Sequence, residues 1–235
     1  MAVARRKAKN AFNDNNLQLV DISPLTDTQQ DFFEKYATDK SQMLLGYSGT
    51  GKTYIACYNA FKEIMKGSEY RKVVIVRSAV PTRDIGFLKG TEAEKGAVYE
   101  LPYRQICSEL FKRDDAYEIL VKHAGVQFML TSFIRGITLD NSIIIVDEFQ
   151  NMTAHEADSV LTRVGRDSKI MFCGDILQRD FTKGSEKNIE KFLNVLQGMP
   201  DVFDFTYFGE NDIVRSGIVG EYIRAKHLMF PKGFD

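Results

Sequence analysis

Cysteine, histidine and proline are all scarce in this 235-residue chain, which has three, three and five of them. Cys57, Cys107 and Cys173 lie far apart and form no C-x-x-C pair, while His123, His155 and His227 stand alone, so neither a disulfide scaffold nor a zinc site is supported. Cys57 falls in a helical pattern and Cys173 ends an apolar run, which reads as two small core residues. No apolar stretch approaches the roughly 18 to 20 residues that cross a bilayer, and the longest strongly apolar run, Ile143–Val146, is strand-sized, which excludes a membrane-spanning helix. Repeats, low-complexity tracts and Pro/Gly-rich linkers are also missing, so a single domain is expected after the N-terminal arm. No secretory apolar segment follows the first basic residues, because Asn10, Asn13, Asp14, Asn15 and Asn16 come next, and a cytoplasmic location is expected.

What is present is enough apolar material for a buried core, at 44% hydrophobic residues. The 31 basic and 32 acidic residues nearly balance, but unevenly: Arg5, Arg6, Lys7 and Lys9 precede the first acid at Asp14. Residues 1–20 therefore read as a basic, flexible arm on an acidic body, and residues 21–235 as the domain. The arm can touch phosphates or simply be solvated.

Helical patterns over Asp27–Ala37, Lys52–Met65, Pro102–Phe111, Ala154–Val164, Lys187–Leu196 and Asp212–Lys226 alternate with strand-like runs. The runs are Met43–Leu45, Val73–Val76, Val126–Leu130, Ser142–Val146, Lys169–Cys173 and Phe203–Tyr207. Several strands are continuously apolar, as burial on both faces of a parallel sheet requires. The fold class is α/β: an open, mostly parallel sheet with helices on both faces and ligands at the carboxyl ends of the strands. Between Val76 and Pro102 runs a long charged stretch through Gly86, Gly90 and Gly96, the kind of long loop that is often functional.

Gly46-Tyr47-Ser48-Gly49-Thr50-Gly51-Lys52-Thr53 fits G-x-x-x-x-G-K-[ST] in full, between an apolar strand and a helix. Such a loop curls its N–H groups toward phosphates, Lys52 reaches the β/γ oxygens, and Thr53 offers a hydroxyl to Mg2+. The nucleotide-binding set is Gly46, Ser48, Gly49, Thr50, Gly51, Lys52, Thr53 and Tyr54. Ile143-Ile144-Ile145-Val146-Asp147-Glu148 ends an apolar strand in two carboxylates. Asp147 is the expected Mg2+ partner and Glu148 the group that polarises an attacking water. A helix cap is the plainer role for an Asp-Glu pair alone and becomes the minor one beside the phosphate loop. Gly174-Asp175 closes a third strand, and Gln178 follows as a candidate γ-phosphate or water contact.

Together these segments resemble the PhoH-like ATPases, single RecA-like P-loop domains related to the first half of superfamily 1 helicases. The resemblance runs from Leu25 onward through Val76-Arg77-Ser78-Ala79-Val80, Gly86-Phe87-Leu88-Lys89-Gly90 and Arg135-Gly136-Ile137-Thr138-Leu139-Asp140-Asn141. It continues through Asp147-Glu148-Phe149-Gln150-Asn151, Leu161-Thr162-Arg163-Val164-Gly165, Gly174-Asp175 with Gln178, and Asp212-Ile213-Val214-Arg215. It implies ATP and Mg2+ as cofactors. Leu25-Thr26-Asp27-Thr28-Gln29 is similar to the helicase segment whose glutamine recognises adenine, which implicates Gln29; the alternative is a capped helix start with an exposed glutamine. Phe149 departs from the alanine expected there, and the change should alter packing more than chemistry. Gln150 is expected to couple nucleotide state to a bound strand.

The resemblance also calls for a cation near the γ-phosphate, with Arg215, Arg163 and Arg166 as rival arginine fingers. A second RecA-like lobe is not expected in the chain after Asp175, so a trans arginine would come from another copy in a head-to-tail ring, expected to be a hexamer. Helicase relatives bind single strands where Arg77, Arg83, Lys89, Lys95, Arg104 and Arg135 interleave here with Phe87, Tyr99, Tyr103 and Phe133. Asp84, Glu92, Glu94 and Glu100 dilute that surface, and a core or interface position is the plainer role for each of the aromatics. Single-stranded RNA, or DNA, is the expected partner. Three functions stay in play: an ATP-driven motor on single strands, a nucleotide-dependent binding switch, and a small-molecule kinase, against which the Asp147-Glu148 pair argues.

Overall fold

The computed structural model describes residues 17–78, 92–175 and 186–230. Six strands, β1 (Ser41–Gly46), β2 (Lys72–Arg77), β3 (Val126–Leu130), β4 (Ser142–Asp147), β5 (Lys169–Gly174) and β6 (Phe203–Phe208), form one sheet in the order β3-β2-β4-β5-β1-β6. Every pairing is parallel. Strand β5 separates β1, which leads into the glycine-rich loop, from β4, which ends in Asp147, the order of a RecA-like P-loop domain.

Side chains alternate between the two faces of each strand, and both faces are covered. One layer contains α1 (Asp27–Tyr36), α2 (Lys52–Met65), α3 (Glu92–Phe111) and α4 (Ala116–Lys122). It packs on Leu44, Val73, Ile75, Ile143, Ile145 and Met171. The opposite layer, with α5 (Ala154–Leu161) and α6 (Glu186–Gln197), packs on Met43, Val74, Val76, Ile144, Val146 and Phe172. In β4, Ile143, Ile144, Ile145 and Val146 are all 0% exposed, which explains the unbroken apolar run. By the same alternation Asp147 follows Ile143 and Ile145 onto the face of α2 and α3.

Several boundaries differ from the sequence pattern. Helix α3 starts ten residues before Pro102, which lies inside it. Proline withdraws only its own N–H from a helix, and the helix formers Ala93, Glu94, Glu100 and Leu101 flank it; Gly96 and Pro102 disguised the element. Helix α4, seven residues long, is an element that the sequence pattern does not show. The last helix, α7 (Gly217–Met229), begins late because residues 210–212 form a 3-10 turn in which Asp212 accepts a hydrogen bond from Gly209 N–H at 2.8 Å. Residues 17–20 belong to the body and not to a flexible arm: Leu17 is buried and Val20 N–H donates to Leu110 C=O at 2.8 Å. Residues 1–16 of that arm, the Gly86–Gly90 segment and Gln178 lie outside the described residues.

Lys169, at the start of β5, is 4% exposed and donates to Tyr36 C=O at 2.7 Å and Thr38 C=O at 2.6 Å, closing the end of α1. Burial lowers its pKa to about 8. At this group the folded protein therefore binds fewer protons than the unfolded chain between pH 8 and 10.5, and the contribution of Lys169 to stability should rise through that window. Burial raises the pKa of Cys57, Cys107 and Cys173, which acts in the opposite sense equally in both proteins, so in urea titrations from pH 8 to 9.5 the unmutated protein should gain on the order of 1–2 kcal/mol relative to Lys169→Met. Equal slopes for both proteins would remove the assignment.

Candidate active site

The phosphate loop is shaped by what crowds it. Gly46 has φ +137°, and a Cβ there would lie 2.0 Å from Phe208 O, so only glycine allows β6 to run this close. Helix α2 opens at Lys52 with no side chain capping its N-terminus, which leaves first-turn N–H groups for an anion. Lys52 is buried and donates to Gly46 C=O at 2.9 Å and Tyr47 C=O at 2.6 Å. Desolvation lowers its pKa, opposed by nearby groups that include Asp175, Glu148 and Asp147. Ser48 N–H donates to Asp175 Oδ2 at 2.8 Å, so the end of β5 already supplies one anionic oxygen to the loop. Thr50 is fully buried and closes the loop on itself by donating to Tyr47 C=O at 2.9 Å. Tyr54 packs against the α1–α4 core layer.

Asp147 receives two hydroxyls. Thr53 Oγ1 donates to Oδ1 at 2.6 Å, and Tyr103 Oη, from α3, donates to Oδ2 at 2.8 Å. Tyr103 is 1% exposed, so it is not one of the strand-stacking aromatics. Glu148 turns the chain with φ +51°, unusual for a residue with a side chain and typical of a functional position. It is half-buried, and desolvation followed by the Asp147 charge raises its carboxyl pKa, against the lowering influence of Arg77, Gln150 and Lys52. A carboxylate so placed is a better proton acceptor than a solvated one.

Gln150 joins two strand ends: its amide N–H donates to Glu148 Oε2, and its Oε1 accepts Asp175 N–H at 2.9 Å. Phe149 is fully buried against Phe172 and Phe192, so the departure from alanine fills the layer under the site. Glu156, which the sequence did not single out, ties the segment after β2 to the one after β3. It accepts from Ser78 at 3.0 Å and Thr131 at 2.8 Å while completing the capping box of α5 with Thr153. Burial pushes its carboxyl pKa up, but hydrogen bonds from the Thr153 backbone, Thr131, Thr153 and Ser78 bring it below the ordinary value. A T-x-x-E pattern at Thr153 was the available signal.

The remaining candidates separate. Gln29 is 2% exposed, not an exposed glutamine: its amide donates to Thr50 C=O at 2.9 Å and accepts Leu25 N–H at 2.9 Å, bracing the phosphate loop. Arg215 precedes α7 and lies over its own chain's loop. Val214 N–H donates to Gly49 C=O at 3.0 Å, and a Cβ at Gly49 would lie 3.1 Å from Arg215 Cγ. Arg163 and Arg166 sit before β5 at the amino edge of the sheet, opposite their own loop, with Arg163 C=O accepting Leu139 N–H. Arg104 is paired with Glu100 and Glu118. Arg77 is half-buried over the Tyr99 ring, at 5.7 Å. Exposed Phe133 and Arg135, the latter 3.5 Å from His155, are left on the face proposed for a strand.

The Thr53 hydroxyl and Asp147 carboxylate are hard oxygen donors, which suit Mg2+ completing its shell with phosphate and water. Among the described residues no group of three or more His, Cys, Asp or Glu forms a protein-only metal cage.

The PhoH-like protein family matches residues 21–227. A PhoH-like protein of Bacillus subtilis (strain 168) is 31% identical over 182 residues, covering 77% of this chain and 56% of the relative. Protein PhoH of Escherichia coli (strain K12) is 27% identical over 206 residues, covering 80% and 54%. The chain thus spans about half the length of these curated relatives. A solved chain described with two coordinating Pif1 helicases at forked DNA overlaps with a TM-score of 0.36 at 11% identity, covering 80% of this chain and 44% of that one. That overlap is slight, and the fold rests on the sheet order itself.

Replacing Gln29 with alanine leaves the Thr50 carbonyl and Leu25 N–H without this partner, at a cost of about 1–3 kcal/mol. Gln29→Ala should lower the melting temperature and weaken ATP and GTP binding alike. A selective loss of ATP over GTP would make Gln29 an adenine contact instead.

Proposed function

The chain belongs to the PhoH-like protein family, and on that footing we propose that it is a Mg2+-dependent ATPase acting on single-stranded nucleic acid, RNA ahead of DNA. The observation that carries the hydrolytic part is the 2.6 Å contact between Thr53 of the phosphate loop and Asp147 of β4, with half-buried Glu148 next in the chain.

In this reading the N–H groups of residues 48–53 and the Lys52 ammonium hold the β- and γ-phosphates. Asp175 yields Ser48 N–H to the nucleotide. Thr53 and Asp147 would hold Mg2+, which would neutralise phosphate charge. Glu148 takes a proton from water as its oxygen attacks the γ-phosphorus and the bond to the β–γ bridging oxygen breaks, giving ADP and phosphate. Gln150, bonded to Glu148 and to the Asp175 backbone, supports a role in reporting the nucleotide. Gln178 is proposed for the same γ-phosphate neighbourhood on its place after β5. Arg215 acts in cis, because its backbone lies over its own chain's loop. Arg163 stands at the far edge and can serve only a neighbour's site, which supports a homo-oligomeric ring, taken as a hexamer. Exposed Phe133 and Arg135 support the strand partner.

Glu148→Gln should retain ATP binding and lose about 10²- to 10⁴-fold in turnover. Steady-state phosphate release with and without single-stranded RNA and DNA tests the whole reading, on material of known solution mass. Strand-insensitive slow release would favour a binding switch, and label transfer to a small acceptor a kinase. In mixed assemblies with Lys52→Ala chains, Arg163→Ala should recover activity and Arg215→Ala should not. Recovery by the Arg215 variant would move the trans role to that residue.

A further inference from the structure

The phenol of Tyr103 is buried deep in the α1–α4 layer and its hydroxyl donates to Asp147 Oδ2 at 2.8 Å. The other carboxylate oxygen faces Thr53. Asp147 is only 6% exposed, so water does little to orient it, and among the described residues each of its two oxygens is held by one hydroxyl. The tyrosine is itself fixed: its ring lies 5.7 Å from that of Phe128 on β3. One turn earlier on α3, Tyr99 lies under the Arg77 guanidinium, and Arg77 is in register with Asp147 across β2 and β4. Helix α3 thus engages two neighbouring strand ends through side chains four residues apart.

We propose that Tyr103 is a positioning residue for the ion-holding carboxylate: by occupying Oδ2 it keeps Oδ1 turned toward Thr53 and the bound divalent cation. The assignment rests on the ATPase reading of the site. Groups bonded to a metal-binding carboxylate orient it, and their loss typically costs on the order of 10- to 100-fold in metal affinity or activity. Tyr103→Phe removes only the hydroxyl and keeps the ring against Phe128.

The test measures Mn2+ binding by electron paramagnetic resonance with ADP present, and the affinity for a fluorescent ADP analogue in EDTA, on the full chain. Tyr103→Phe should weaken Mn2+ about 10- to 100-fold while metal-free nucleotide affinity stays within about twofold. Tyr103→His, which keeps a ring donor, should recover part of the loss, and it is compared with Tyr103→Leu should the phenylalanine variant fail to fold. Unchanged Mn2+ affinity, or a parallel fall in metal-free nucleotide binding, would overturn the assignment and leave Tyr103 a packing residue. If the unmutated protein binds nucleotide in EDTA but no Mn2+, this assignment fails and the nucleotide site stands. If it binds neither, the ATPase reading falls first.

Discussion

The hydrogen bond from Thr53 to Asp147 joins the first turn of α2 to the end of β4, and the rest of the edge is arranged around it. It requires three things at once. Strands β1 and β4 must end at the same edge, which parallel pairing through β5 secures. Asp147 must project to the α2 side, which the period-two alternation after Ile143 and Ile145 secures. The glycine-rich loop must turn directly from β1 into α2, which Gly46 permits beside the Phe208 carbonyl. A shift of one residue in β4 would send Asp147 into the α5–α6 layer.

Around that bond, polar side chains tie three pairs of neighbouring strand ends. Asp175 reaches the Ser48 N–H, Gln150 joins Glu148 to the Asp175 backbone, and Glu156 joins Ser78 to Thr131. These groups lie at the rim of an apolar sheet, where an unpaired donor or acceptor is costly. One set runs from the phosphate loop through Asp175 and Gln150 to Glu148, and a second holds the segments after β2 and β3 together. Beneath it, Phe149, Phe172 and Phe192 fill the layer and give Gln150 a fixed base.

The strands were legible because burial on both faces leaves a distinctive apolar run, as in Ile143–Val146, and the phosphate loop because its glycines and Lys52-Thr53 have local causes. Helix α3 was shortened on reading because Gly96 and Pro102 are weighed as breakers by local propensity, whereas packing of Tyr103, Cys107 and Leu110 into the core holds it. Tyr103 read as a strand-stacking candidate or a core aromatic, since nothing in sequence marks its distance to Asp147. Gln29 read as either an adenine contact or an exposed polar group, and it is buried with its amide on the Thr50 backbone.

The amino-acid order alone determined the parallel α/β sheet, the loop with Lys52 and Thr53, and the carboxylate pair at the end of β4, because each is written in a contiguous pattern of periodicity or spacing. Only the tertiary structure decided which groups meet across long separations. It set Arg215 on its own loop, Arg163 at the opposite edge, Tyr103 on Asp147 and Glu156 between two strand ends. Those contacts follow from sheet order and face, and both are fixed by the packing of the whole layer, which no short segment specifies.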